Sequence, residues 1–204
     1  MNYFLSLFIS LLCVQFFSAQ QNVHFKSVNS TYQAHKTELY AEFKRLYETL
    51  SPQQRPFLVE ELQQVEQKMD SLENAGYINS LIITKIEEDL SGPSSTRTAP
   101  LKDSVGKEVI VPQYPGGIPA LRKEVAELFY MDATGLPPTL STRVHFEVDT
   151  LGAVRFAKAE GENLLFNRQA EIALYRLSGT FVPASQGSEK IPYRFQMPFT
   201  MRFE

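Results

Sequence analysis

Tyr193-Arg194-Phe195-Gln196-Met197-Pro198-Phe199-Thr200-Met201-Arg202-Phe203-Glu204 is the stretch that decides the fold. Its large apolar side chains fall on odd numbers, and its polar ones, with Pro198, on even numbers. That is the period of two a half-buried β-strand requires. Pro198 has no N–H for a ladder, which puts this strand at a sheet edge or at a bulge. Upstream, Val144, Phe146 and Val148 alternate with Arg143, His145, Glu147 and Asp149. Asp149-Thr150-Leu151-Gly152 has hairpin chemistry, and Val154 and Phe156 continue the core face on the return strand.

Two helices separate these strands. Pro119 opens one, with its stripe on Leu121, Val125, Leu128 and Phe129. The other carries Phe166, Ala170, Ala173, Leu174 and Leu177, with Gly179 as its stop. Ahead of both, Val109-Ile110-Val111 is a short β-like run broken by Pro115-Gly116-Gly117. The order short strand, helix, hairpin, helix, long strand predicts a two-layer α/β sandwich, an antiparallel sheet with two helices.

The preceding half has a helical period. Residues 20–90 predict a helical hairpin, so the whole chain reads as α+β. One stripe is Tyr32, Leu39, Phe43, Leu46 and Leu50; the other is Leu58, Leu62, Val65, Met69 and Leu72. Ser51-Pro52-Gln53-Gln54 between them resembles a capping box, with Pro56 marking another start for the second helix. Gly76 is expected to end that helix. A third stretch then holds Ile78, Ile82 and Ile86 at four-residue spacing. Acidic residues outnumber basic ones by 11 to 7 here, as on a solvated face. Residues 91–108 read as a linker, since Ser91 to Pro100 contains no large apolar side chain.

Composition narrows the function classes. Of 204 residues, 43% are apolar and 21% charged, enough for a packed core. Twenty basic residues against 23 acidic ones offer no excess of cations to a nucleic acid. The single cysteine, Cys13, leaves neither an intramolecular disulfide nor a Cys cluster for zinc. It lies in an apolar stretch, Tyr3 to Ala19, in which 13 of 17 residues are apolar. As a helix this would rise about 26 Å, short of a roughly 30 Å hydrocarbon core. Its small residues Ser18 and Ala19 read as the end of an export signal over 1–19, cleaved near Ala19. The alternative is an uncleaved signal anchor in the inner membrane.

With these pieces in place, residues 109–204 resemble a TonB C-terminal domain, of the kind found in TonB and TolA-like envelope proteins. Pro112-Gln113-Tyr114-Pro115-Gly116-Gly117 is similar to the family's opening, and Phe146-Glu147-Val148-Asp149-Thr150-Leu151-Gly152-Ala153-Val154 to its hairpin. Phe166-Asn167-Arg168-Gln169-Ala170 and Pro192-Tyr193-Arg194-Phe195-Gln196-Met197-Pro198 complete the order. Departures are Leu136-Pro137-Pro138 and Ser141, where the family has Tyr-Pro-x-x-Ala and a Gly, and Phe181-Val182-Pro183, where it has Trp. The resemblance implies that the last strand is an edge that receives a short peptide, with the Gln-Tyr-Pro segment beside it.

No catalytic constellation emerges. His145, Arg143, Glu147 and Asp149 read as a solvated sheet face, since same-face neighbours along a strand stand about 6.6 Å apart. His24 and His35 have no ligand-spaced companions, and Gly116-Gly117 lacks the continuation of a phosphate loop. The expected protein is therefore non-enzymatic, with no cofactor and no metal site. It is periplasmic and binds a cell-envelope protein or peptide, such as a segment of an outer-membrane receptor. Strand addition is the expected mode, with Gln113, Tyr114, Arg194, Gln196, Pro198, Thr200 and Arg202 as the partner-binding residues. The alternatives are a membrane-anchored TonB-type energy transducer and a structural homodimer through the helical module.

Overall fold

Two long antiparallel helices lead into two small antiparallel sheets with two further helices, an α+β fold. The computed structural model describes residues 22–91, 109–131 and 137–203. The expected export signal and most of the expected linker lie outside them. Helix α1 is Val23–Thr49 and α2 is Arg55–Ser91. Strand β1 (Val109–Ile110) and helix α3 (Gly117–Glu127) precede the hairpin of β2 (Thr139–Val148) and β3 (Val154–Glu160). Helix α4 (Leu164–Tyr175), β4 (Ala184–Gln186), β5 (Glu189–Ile191) and β6 (Tyr193–Arg202) complete the chain. No helix among the described residues is long and apolar enough to cross a membrane.

The predicted hairpin forms at the expected turn. Asp149 Oδ1 accepts from the N–H groups of Leu151 and Ala153 at 2.8 and 2.9 Å, and Gly152 takes φ +87°. A Cβ at Gly152 would stand 2.0 Å from the Phe181 carbonyl oxygen, so this turn needs glycine twice over. Strand β2 is central in the order β3-β2-β6. The β4–β5 hairpin has no counterpart in the sequence pattern: with β1 it forms a second sheet of order β1-β4-β5. Its strands are three residues long and carry no apolar alternation, and Gly187 at φ +64° supplies the turn. Pro192 separates β5 from β6, ending one ladder where the chain joins the other sheet. Helix α3 starts at Gly117, two residues before the expected Pro119.

Gly76 does not end a helix. It lies inside α2, where a Cβ would come 3.0 Å from Val28 Cγ1, so the missing side chain is what lets α1 approach. Because the helix is continuous through Gly76, residues 77–91 turn a different face to the core than a separate third helix would. The buried face of α2 is Glu73, Tyr77, Ser80, Leu81, Thr84 and Glu88, whereas Ile82 and Ile86 are exposed. Only half of the expected capping box forms: Gln54 Oε1 accepts from the Ser51 N–H at 3.2 Å and from its hydroxyl at 2.8 Å, while the Gln54 N–H bonds the Ser51 carbonyl and α2 begins at Arg55.

The helical pair and the α/β part share one core. Phe25, at the start of α1, is 1% exposed and its ring stacks on Tyr77 and on Tyr175 of α4, with centroids 6.0 and 5.5 Å apart. Burial of such a ring contributes about 1.5–3 kcal/mol. The Arg176 guanidinium lies 3.9 Å from the centre of the Tyr77 ring and donates to the Leu128 carbonyl at 2.9 Å, tying α2 to the ends of α4 and α3. Desolvation pushes the Tyr77 hydroxyl up to about 12, and its O–H donates to Glu73 at 2.8 Å. Lys36 of α1 bonds Glu73 and Asp70 at 2.8 and 2.9 Å. Burial alone would lower the Lys36 pKa, but these carboxylates reverse the shift and raise it.

Candidate functional site

Strand β6 is one outer strand of the sheet, paired with β2 from Tyr193 opposite Val148 to Arg202 opposite Thr139. Arg194, Gln196, Pro198, Thr200 and Arg202 are exposed; Met197 and Phe199 are buried, and Tyr193, Phe195 and Met201 half-buried. Pro198 stands opposite Arg143. Opposed residues of an antiparallel ladder alternate between pairs that exchange both hydrogen bonds and pairs that exchange none. Pro198 cannot belong to an exchanging pair. The even-numbered N–H groups of β6 therefore point away from β2, and the odd-numbered ones pair with it. The site so defined is a row of outward donors at Arg194, Gln196, Thr200 and Arg202, with a gap at Pro198.

An open groove of about 320 Å³ runs between α3 and this edge. Val125, Phe129, Phe199 and Met201 line it with apolar surface, and Arg122 adds a cation. A strand laid against β6 would turn every second side chain toward this groove, because side chains alternate between the faces.

The other expected residues are placed differently. Gln113 exchanges two backbone hydrogen bonds with Val182, at 3.0 and 2.8 Å. Tyr114 is a correction to the expected site: it is 5% exposed, and its ring packs on Phe181, which in turn packs on Phe195 of β6. Its O–H donates to Glu124 at 2.5 Å and accepts from the Gly179 N–H at 3.1 Å. Burial, then the Glu124 carboxylate, holds the Tyr114 hydroxyl well above its ordinary range. Burial works against the Glu124 charge, yet bonds from Tyr114 and Ser178 keep its pKa below the usual value. This pair pins the turn after α4 and positions β6 only at second hand.

The outer sheet face is also less solvated than expected. Glu147 is 5% exposed, sits between Arg155 and Arg194 in the register, and accepts from Arg194 Nε at 3.4 Å. His145 lies between Lys158 and Gln196. Among the described residues no group of three or more His, Cys, Asp or Glu side chains is arranged to hold a metal.

Strand β3, the opposite edge, is closed by side chains that sequence reasoning does not single out. Between His145 and Glu147 the β2–β3 register slips by one residue, and Phe156 in this bulge takes φ +52°. A non-glycine residue there costs of order 1 kcal/mol and persists only where its surroundings hold it. The hold is Glu88 of α2, whose Oε1 accepts from the Phe156 N–H at 2.9 Å while Oε2 accepts from the Tyr175 O–H at 2.8 Å. Tyr175 in turn accepts from the Ala157 N–H at 3.0 Å, and Glu171 accepts from the Ala159 N–H at 2.8 Å. Lys85 of α2 donates to the Ala157 carbonyl at 2.6 Å and pairs with Glu171 at 3.1 Å. Three outward donors and one outward acceptor of β3 thus have partners from α2 and α4. Chain spacing hides this cluster, because Glu88 and Phe156 lie 68 residues apart.

Compared with known proteins, the chain matches no family model, no curated protein and no solved structure.

Proposed function

We propose that this chain is a non-enzymatic, exported cell-envelope protein that binds an extended segment of a partner protein by strand addition at β6. The observation that carries the reading is the contrast between the sheet edges: β3 is occupied by side chains, whereas β6 presents a row of outward N–H groups beside an apolar groove. The resemblance of residues 109–204 to a TonB C-terminal domain supports the same strand and suggests a periplasmic location after cleavage near Ala19. Four outward donors interrupted by Pro198, at about 1 kcal/mol net per hydrogen bond, supply only about 4 kcal/mol, the millimolar class, so micromolar affinity requires that the partner's side chains also bury apolar surface in the groove beside β6.

The test is a titration of the ¹⁵N-labelled chain with ten-residue peptides from the periplasmic N-termini of outer-membrane receptors. The expected result is movement of the Arg194, Gln196, Thr200 and Arg202 amides, with the β3 amides unchanged. Shifts confined to α1 and α2, with β6 silent, would move the binding site to the helical pair. Intact mass of the envelope form checks the location, with residues 1–19 expected to be missing.

A further inference from the structure

Because α2 runs unbroken through Gly76, it carries a second apolar stripe on the side away from the core. Val65, Leu72, Asn79 and Ile86 recur every seven residues, and Lys68, Ala75 and Ile82 fall between them at the complementary spacing. All seven are exposed, and none belongs to the buried face that begins at Glu73. Seven-residue recurrence with a second apolar position between is the pattern of a coiled-coil seam, in which a single polar Asn fixes register. Leu72 is 61% exposed, Ile82 52% and Ile86 53%, and Phe57 and Leu90 extend the stripe at either end at 70% and 83%. Together with Val65 and Ile83 these side chains offer on the order of 700 Å² of apolar surface per protomer. That exceeds the patch of roughly 300–600 Å² that a typical monomer leaves bare. It also approaches the roughly 800 Å² per partner that a stable specific interface buries.

We propose that a second copy of the chain covers this stripe, α2 against α2, in an antiparallel two-fold arrangement. Charge selects the direction. A parallel pairing sets Lys68 against Lys68, two like charges facing each other in one layer. The antiparallel pairing sets Lys68 against the partner's Asn79, whose side-chain oxygen accepts from the ammonium group. In the same register Val65 meets the partner's Ile82, Leu72 the partner's Ala75 and Glu61 the partner's Ile86, while Phe57 and the partner's Leu90 form the outermost layers. Each layer occurs twice about the axis, as an isologous contact requires. The seam lies on the face of α2 opposite Glu88, so the dimer leaves the β6 edge free.

The test uses the chain in a Cys13→Ser background. Residues 65 and 82 are separated by about 25 Å along one helix, too far for a bond within a chain. The double variant Val65→Cys/Ile82→Cys is expected to oxidise to a covalent dimer, and each single variant to remain uncrosslinked. Leu72→Glu is expected to give a monomer by sedimentation with an unchanged far-ultraviolet circular dichroism spectrum, since Leu72 is exposed within the protomer, and with a thermal midpoint that no longer rises with concentration. A parent chain that stays monomeric at about 100 µM, far above a micromolar dissociation constant, would overturn the proposal. So would efficient crosslinking of Val65→Cys alone, which requires parallel helices, or a Leu72→Glu chain that is still dimeric.

Discussion

At one edge of the sheet, β3 gives the N–H groups of Phe156, Ala157 and Ala159 to Glu88, Tyr175 and Glu171, and a bulge turns the strand at that point. At the other edge, β6 runs straight for ten residues, and its one irregularity is a proline whose missing N–H faces outward. Edge strands are templates for unwanted pairing, and proteins blunt them with bulges, charges or covering elements. Here β3 has a bulge, buried carboxyl groups and a covering helix together, while β6 has Pro198 and two arginines. The contrast gives the helical pair a purpose within the fold, since the C-terminal half of α2 supplies Glu88 and Lys85 to the β3 edge, and α4 alone would leave the Phe156 N–H and the Ala157 carbonyl without these partners.

Removing Glu88 should break the contrast most severely. Glu88→Ala leaves the Phe156 N–H and the Tyr175 hydroxyl without their acceptor and Arg155 without its partner, at a cost of about 3 kcal/mol. Urea unfolding reads that loss, and the freed β3 edge should show as concentration-dependent association. Tyr175→Phe should cost about 1–3 kcal/mol, because it removes one donor to Glu88 and one acceptor for Ala157. This variant also carries a pH signature. Burial, then the neighbouring Glu88, raises the Tyr175 pKa above the ordinary 10.0. Its contribution is complete below pH 10 and is lost as pH rises through the folded-state value. Stability of the parent chain should therefore fall above about pH 10, and less steeply in Tyr175→Phe. The smallest effect belongs to β6. Pro198→Ala restores one outward donor and should tighten peptide binding about fivefold, one hydrogen bond of roughly 1 kcal/mol, with stability changed by less than about 0.5 kcal/mol. Calorimetric titration beside a thermal melt separates the two numbers.

Sequence made the long elements of the α/β part legible, but missed the short β4–β5 hairpin and left the closure of the sheet edges obscure. The odd–even alternation from Tyr193 to Phe203 marks both the strand and its inner face, because a period of two survives without any knowledge of neighbours. The Asp149–Gly152 turn is equally local. Gly76 misleads, since glycine as a helix stop and glycine as a close-approach site look identical until Val28 is seen beside it. That error splits α2 and conceals both of its faces, the buried polar one and the exposed heptad one. Tyr114 is misplaced for another reason: it enters the expected site through the resemblance, which sets the Gln-Tyr-Pro segment beside the last strand, and its burial depends on Glu124, Gly179 and Phe181 arriving from elsewhere in the chain. Glu171 and Tyr175 lie on one face of α4 at four-residue spacing, but nothing local says that β3 backbone is what they meet.

Site-resolved amide hydrogen exchange compares the two edges in one experiment. The N–H groups of Phe156, Ala157 and Ala159 should exchange slowly although they belong to an outer strand, and Glu88→Ala should release Phe156 first. In β6 the protection should alternate: Phe195, Met197, Phe199 and Met201 slow, Gln196, Thr200 and Arg202 fast. Uniform protection along β6, or β3 amides exchanging as fast as the even-numbered ones of β6, would contradict a sheet with one closed edge and one open edge.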